Sequence, residues 1–319
     1  MLFRVLIVLA AGLALAGSVG AQYPSRVIKI VPNSAPGTGP DITARLVAAK
    51  LADQLGQSVV VENRPGANGN IAGEHVARSP ADGYTLLLAT VAQFTINPHV
   101  YPDLRFNWIK DLAPLASIAT EEFKLVAIPT LPAKTIAEFI SYARSLKSPL
   151  FYGSAGTGSL HHLGMELLKE GTGINLSHVP YKGGGSAVTT AMLTGEVSVS
   201  FGGAAIDAQI RAGKLRVLAV TGPKRSPRFP DLPTIGETVP GFDMVSWSGL
   251  FAPAGTPPQP IARLRAEMAR VIALPEFKSK IHENGPEVWM STPEEFAAVI
   301  RRDYEKNGKV VKALGITPE

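Results

Sequence analysis

The chain has 319 residues and no cysteine. A lipid-anchored amino-terminal cysteine and disulfides are therefore excluded, and the fold must be held by its apolar core. Charge of one sign is also scarce. Lys and Arg number 31 against 26 Asp and Glu, a formal net charge of +5, or +4 once Arg4 is removed with the leader described below. The basic residues are scattered, and their densest cluster, "GPKRSPRFP", is broken by prolines and reads as a solvated loop. No basic helix or aromatic-interleaved patch is present, so nucleic acid is not an expected partner. The mild positive field favours anionic small molecules.

Signatures of catalysis and of metal binding are missing as well. In "GSAGTGS" Ser154 directly follows Gly153, whereas a nucleophile elbow needs a residue between them. "KGGGS" lacks the spacing of a phosphate-binding P-loop, and no G-x-G-x-x-G follows the first strand. His161 and His162 are adjacent, so on a helix they point about 100° apart and cannot both hold one metal. His75, His99, His178 and His282 form no H-x-x-x-H or H-E-x-x-H pair and read as surface or capping residues. Asp41, Asp82, Asp103, Asp111 and Asp207 make no recognisable acid–base couple. No catalytic residue, metal or cofactor is expected, and "NLS" at 175–177 is a chance sequon.

What is present begins with a leader. "MLFRVLIVLAAGLALAGSVGA" has one positive charge, an apolar run and small residues at Val19 and Ala21, the pattern of a signal peptide (residues 1–21) cleaved after Ala21. Gly12, Gly17, Ser18 and Gly20 shorten the apolar core below the roughly 20 residues a membrane span needs. Export to the periplasm is therefore expected.

Beyond the leader, strands and helices alternate. "RVIKIV", "SVVVEN" and "DGYTLLLAT" read as strands, and "DITARLVAAKLADQLG" and "IAGEHVARS" as helices. A second series starts near residue 123. Its strands are "FKLVAIP", "PLFYGS", "INLSHVPY", "VSVSFG" and "LRVLAVTG", with the helices "TIAEFISYARSL", "LHHLGMELLKE", "SAVTTAMLTG" and "AIDAQIRAG" between them. "DMVSWSGLFAP" is a further strand, "PPQPIARLRAEMARVIA" a helix, and the C-terminus is helical with Thr292 and Glu295 placed as a capping box. Alternation of this kind predicts an α/β protein of two Rossmann-like lobes with parallel sheets. Residues 22–122 plus 247–319 form the first lobe and 123–246 the second, joined by two crossing segments that allow closure over a ligand cleft.

Two loops correspond in the two halves: "APGTGPD" (35–41) and "SAGTGS" (154–159). Each follows a strand and opens a helix, where glycine lets the backbone approach a ligand and free N–H groups attract negative charge. Neither contains Arg or Lys. Recognition should then rest on backbone N–H groups, hydroxyls and water, and a pair facing each other suits carboxylates.

The segments "YPSRVIKIVP", "PGTGPDITARL", "VVVENRPGANGNIAGE", "YGSAGTGSLHHLG", "HVPYKGGGSAV" and "WSGLFAPAGTP" resemble the Bug-type receptors, the extracytoplasmic solute-binding proteins of tripartite tricarboxylate transporters. The resemblance runs through nearly all of the mature chain. It implies a type II periplasmic binding (Venus-flytrap) fold, no catalysis, a small carboxylic acid ligand and a permease of two integral-membrane subunits. A monomer is expected. A sensor handing its liganded state to a sensor kinase is the alternative, and an enzyme on a similar scaffold a weaker one. Carried over by position, the resemblance places the site at Asn33, Ser34, Gly37, Thr38, Gly39 and Asp41 in the first lobe. In the second it places Ser154, Gly158, Ser159 and His162, with Thr90, Gln93, Gly202 and Gly203 completing the wall. The first loop is one residue longer than the family's, carries Asn33 and Ser34 where an apolar residue is usual, and Gly202 stands where an aspartate often does. "NRPGANGN" reads as a shape-setting turn, "PYKGGGSA" as a loop opening a helix, and Trp247 as packing between lobes.

Overall fold

The computed structural model describes residues 23–317 except 182, 183, 204, 205, 227 and 284. The expected signal peptide and Lys182 lie outside the described residues.

The short apolar runs in "IKIVP" and "TLLLAT" make strands buried on both faces. β1 (Ile28–Pro32) runs into α1 (Gly39–Leu55), then β2 (Val59–Val61), a short turn at Ala67–Gly69, α2 (Asn70–Ala77) and β3 (Thr85–Thr90). Successive side chains leave a strand on opposite faces. Ile28, Ile30, Leu86 and Leu88 therefore pack on one side with Val47 and Leu51 of α1, while Val31, Leu87 and Ala89 join the other side. The chain continues through α3 (Val91–Thr95) and α4 (Asn97–Val100) into β4 (Leu112–Glu122).

After Phe123 the chain enters a second sheet. It contains β5 (Lys124–Ala127), β6 (Leu150–Ser154), β7 (Leu176–Pro180), β8 (Val199–Gly202) and β9 (Arg216–Val220). Between these strands lie α5 (Ile136–Ser145), α6 (Leu160–Thr172), α7 (Gly184–Thr194) and α8 (Asp207–Arg211). The return is β10 (Val245–Pro253), followed by α9 (Pro258–Ala273), α10 (Pro275–Glu283), β11 (Glu287–Val288) and α11 (Pro293–Leu314). β10 pairs with β4 from Val245, two residues ahead of the return point at 247 expected from the sequence.

The six-stranded sheet has the order β11-β4-β10-β3-β1-β2 and the five-stranded sheet β7-β6-β8-β5-β9. Within the first, β2, β1 and β3 are parallel, and within the second β7, β6 and β8. In each trio the earliest strand lies in the middle, so the winding reverses beside it. Those two reversals, β1/β3 and β6/β8, are where open α/β sheets leave a crevice beyond their carboxyl ends.

The two connections are tied together. Phe123 N–H donates to Thr221 Oγ1 at 2.9 Å, Thr221 N–H to Phe123 O at 3.0 Å, and Met244 N–H to Thr221 O at 3.0 Å. Trp247 is buried, its Nε1 donating to Asp303 Oδ2 at 2.9 Å and its ring meeting Phe296 edge-on. Its partners lie on α11 against the six-stranded sheet, so its packing is within that half rather than between halves.

Candidate functional site

Each switch point supports one of the two paired loops. Asn33 is the first residue beyond β1, and the loop it opens leads to Thr38, which stands at the amino-terminal cap of α1 in extended conformation. Thr38 Oγ1 donates within the loop, to Ser34 Oγ and to Ala35 O, both at 2.7 Å. Asp41 is buried and bound from three sides. Gly37 N–H donates to Oδ2 at 2.8 Å, Arg45 Nε to Oδ2 at 3.1 Å, and Asn63 Nδ2 to Oδ1 at 2.8 Å. Burial pushes the Asp41 carboxyl up, but the hydrogen bonds from Arg45, Gly37 and Asn63 outweigh it and hold the group below its ordinary value. Asp41 is thus a clamp on its own loop, and Asn63 extends the clamp by donating to Ser34 O at 3.0 Å.

Beyond β3, Thr90 N–H and Oγ1 both donate to Gln93 Oε1, at 3.0 and 2.7 Å. Gln93 Nε2 donates onward to Asn68 O at 3.1 Å. Gly69 fits where it does because it lacks a side chain: a Cβ there would lie 2.9 Å from both Asn33 Nδ2 and Gln93 Cγ. Asn33, Gly69 and Gln93 therefore form one continuous wall.

In the five-stranded half, Ser159 caps α6, its Oγ accepting from His162 N–H at 3.2 Å. His162 is buried, and its Nδ1 accepts from Gly158 N–H at 3.2 Å. Ser154 is fully buried beneath the loop, its Oγ 2.6 Å from His178 Nε2 and 3.1 Å from Gly156 O. The His178 ring stacks on His162 with centroids 3.9 Å apart and planes within 6°, and the Tyr152 ring lies beside the pair, 5.0 Å from His178 and 6.4 Å from His162. His178 was read from the sequence as a surface or capping residue; it is half-buried and braces the loop. The signal was in the β6–β7 register, which sets His178 beside Tyr152.

At the end of β8, a Cβ on Gly202 would meet Ile206 Cδ1, and one on Gly203, the next residue, would meet Glu121 Oε1. Both glycines make room for a neighbour's side chain. His161 is half-buried, its ring standing edge-on to Phe123, 4.7 Å between centroids, at the crossing between the sheets. Burial holds its imidazole down, at about 4.

One of the contacts between the halves comes from a segment that the sequence reading treated as a shape-setting turn. Asn68, in "NRPGANGN", has left-handed backbone (φ 48°). Its Nδ2 donates to Asn97 Oδ1 at 2.7 Å and to Gly158 O at 3.2 Å. The donors that helix geometry leaves in each loop are backbone N–H groups of the first turn, around Gly39 and Asp41 in one half and Leu160 and His161 in the other. No group of three or more His, Cys, Asp or Glu among the described residues could hold a metal, and no described helix is long and apolar enough to cross a membrane. Two surface hollows of about 490 and 620 Å³ lie away from these loops, beside Lys278 and Met290 and beside Arg216 and Phe229.

Two α/β halves, joined twice and each offering a strand–helix loop at its switch point, define a two-lobed solute-binding receptor. The family model of the tripartite tricarboxylate transporter family receptor, TctC, matches residues 43–316, and the chain belongs to that family. It is 34% identical over 299 residues to a UPF0065 protein of Bordetella pertussis, covering 93% of this chain and 92% of that one. With BugT of the same organism it shares 32% over 296 residues, covering 92% and 90%. Among solved structures, an R. palustris protein with adipate superposes with a TM-score of 0.87 at 35% identity, covering 93% of this chain and all of the other. MatC from Rhodopseudomonas palustris with bound malate gives 0.81 at 29%, covering 91% and 100%.

Proposed function

We propose that this receptor captures a small carboxylic acid between its two lobes and presents the closed, loaded form to a two-subunit membrane permease. In this reading the chain acts in the periplasm after residues 1–21 are removed, and it releases its ligand chemically unchanged. The observation that carries the reading is the pairing of two cation-free strand–helix loops at the two switch points. A helix amino terminus with unmade N–H bonds favours a full negative charge. The adipate and malate in the similar structures have that chemistry.

The residues divide by task. Backbone N–H groups around Gly39 and Leu160 hold carboxylate oxygens. Thr38, Asp41, Ser154, Ser159 and His162 fix the loops that present them, and Asn33, Thr90 and Gln93 line the side nearest β1 and β3. Gly202 and Gly203 set the floor near the crossing segments.

A thermal-shift screen of the mature protein against a carboxylic-acid library tests this, because a ligand that binds only the native state raises the melting temperature. Acids should raise it while their methyl esters and amides should not. Equal shifts from acid and ester, or none from any acid, would reject the reading. Recovery of the bound acid in altered form would reject the receptor role.

A further inference from the structure

Two contacts between the halves lie on opposite sides of the crossing strands. β4 and β10, which carry the two crossings, separate β11 on one flank of the six-stranded sheet from β3, β1 and β2 on the other. The paired loops and the bond from Asn68 Nδ2 to Gly158 O belong to the second flank. The first flank has a tie of its own. Arg228, in the connection between β9 and β10, donates through Nη1 to Gly285 O at 2.8 Å, and Gly285 lies two residues ahead of β11. The guanidinium is braced from its own half. Its Nη2 lies 3.5 Å from Asp207 Oδ2, and Asp207 Oδ1 lies 2.7 Å from Lys124 Nζ. Lys124 is buried, is the first residue beyond Phe123, and pairs with Gly202 on β8 and Val220 on β9. A long side chain on a loop yields under load; one braced through a buried ion pair to an interior strand passes the load to the sheet.

We infer that Arg228 is a positioning residue for ligand capture: its tie to Gly285 opposes closure of the cleft and sets how far the receptor stands open when empty. This rests on the two-lobed receptor reading above and goes beyond it. Halves that turn about the crossing strands close on one flank by parting on the other. Closing the cleft therefore stretches the Arg228–Gly285 bond, and opening it stretches the Asn68–Gly158 bond. A hydrogen bond from a charged donor is among the stronger ones, so its loss on closure subtracts from what the ligand contributes. Apparent affinity falls with the fraction of receptor that is competent to close. In return the empty and the loaded receptor differ in shape, which a permease that accepts only the loaded form requires.

The test exploits the absence of cysteine. Asp103→Cys and Ser186→Cys, at exposed positions, place one spin label on each half beside the cleft. Asp103 follows Val100, whose Cγ1 stands 3.4 Å from where a Cβ on Gly158 would lie, and Ser186 is in the first turn of α7. In the ligand-free mature protein, Arg228→Met should shorten the distance between the labels. Arg228→Lys, which keeps a cationic donor of similar reach, should stay near the parent. Asp207 keeps Lys124 as its partner in either variant, and Arg228→Ala serves if the methionine variant does not fold. Calorimetry with malate and adipate should show whichever acid the parent binds held about threefold or more tighter by Arg228→Met. A distance that is unchanged or longer in Arg228→Met, a bound acid held no tighter, or methionine and lysine variants that shift alike would overturn this inference and leave the receptor reading intact. Failure of both acids to bind would bear on the ligand class and not on Arg228, which the ligand-free distances decide. Labels that no acid of the thermal-shift library brings together would overturn the closing receptor, and this inference with it.

Discussion

Asn68 Nδ2 and Gly158 O meet at 3.2 Å, joining the turn after β2 in the six-stranded half to the loop before α6 in the five-stranded half. The same amide is held from behind by Asn97 Oδ1, and Asn68 O accepts from Asn97 Nδ2 at 2.9 Å and from Gln93 Nε2. A rigid side chain thus spans the lips of the cleft, beside the loop proposed to hold the ligand.

Replacing Asn68 by Ala should remove the bridge and place a side chain with no compensating bonds in left-handed backbone. Asparagine tolerates that region better than alanine does. A loss of about 1–2 kcal/mol is expected. Asn68→Gly removes the same bridge without the backbone penalty, so it should recover part of the stability while remaining equally open. Small-angle scattering of the ligand-free protein reads the opening, and denaturant titration reads the stability. Two variants with unchanged radius of gyration would show that the bridge does not hold the lobes together.

His178 is expected to matter through Ser154. His178→Phe keeps a ring to stack on His162 and Tyr152 but loses the 2.6 Å contact to Ser154 Oγ. Buried Ser154 then keeps only its bonds around Gly156, at a cost of about 1 kcal/mol in stability. Carboxylate affinity should fall several-fold as the loop loosens. Calorimetry with the tightest acid from the screen checks this, and a phenylalanine variant binding like the parent would confine His178 to packing.

The fold was legible where the chemistry is local. The Thr292–Glu295 capping box is formed as expected, Thr292 N–H donating to Glu295 Oε2 at 2.8 Å and Glu295 N–H to Thr292 Oγ1 at 3.1 Å. The short apolar runs in "VIKIV" and "TLLLAT" were enough to place β1 and β3. β4, "LAPLASIATEE", escaped because Pro114, its small residues and its two terminal glutamates give no strand pattern. Its extended form comes from pairing with β10, more than a hundred residues away. The site shows the same division. The two glycine loops announced themselves, whereas the inward turn of Asp41, the reach of Asn68 and the stacking of His178 depend on contacts across the sheet that no spacing encodes.

Gly73, inside α2, faces the Trp108 ring so closely that a Cβ would stand 2.4 Å from Cη2 and 2.7 Å from Phe106 Cζ. Trp108 is buried, with its Nε1 donating to Asn70 Oδ1, and packs on Phe94 and Phe106. Two rigid rings cannot yield as a flexible chain end would. Gly73→Ala gains helix propensity of up to about 1 kcal/mol but should still destabilise by about 1–3 kcal/mol through overpacking. Thermal unfolding gives the sign directly, and a variant more stable than the parent would mean that the aromatic cluster can shift.

The last expectation concerns acid. Burial against Phe123 holds the His161 imidazole at about 4, whereas a histidine in the unfolded chain titrates near 6.5. Between those values the unfolded state binds the proton and the folded state does not, so stability rises with pH there. The contribution is complete above about pH 6.5 and is lost progressively as the pH falls toward 4, up to about 3 kcal/mol in all. His75 and His99, both held down chiefly by burial, act in the same direction. Glu122, raised by burial, acts in the opposite one, its share being lost as pH rises through its folded value. The comparison that isolates His161 is therefore between the parent and His161→Phe, which keeps an aromatic ring at the crossing and removes the titration. Denaturant curves from pH 4 to pH 7 should be flatter for the variant, with the two proteins differing most in slope below pH 6.5. Parallel profiles would show that His161 takes up its proton in the folded state as readily as in the unfolded chain, and that its ring is not sealed against the crossing strand.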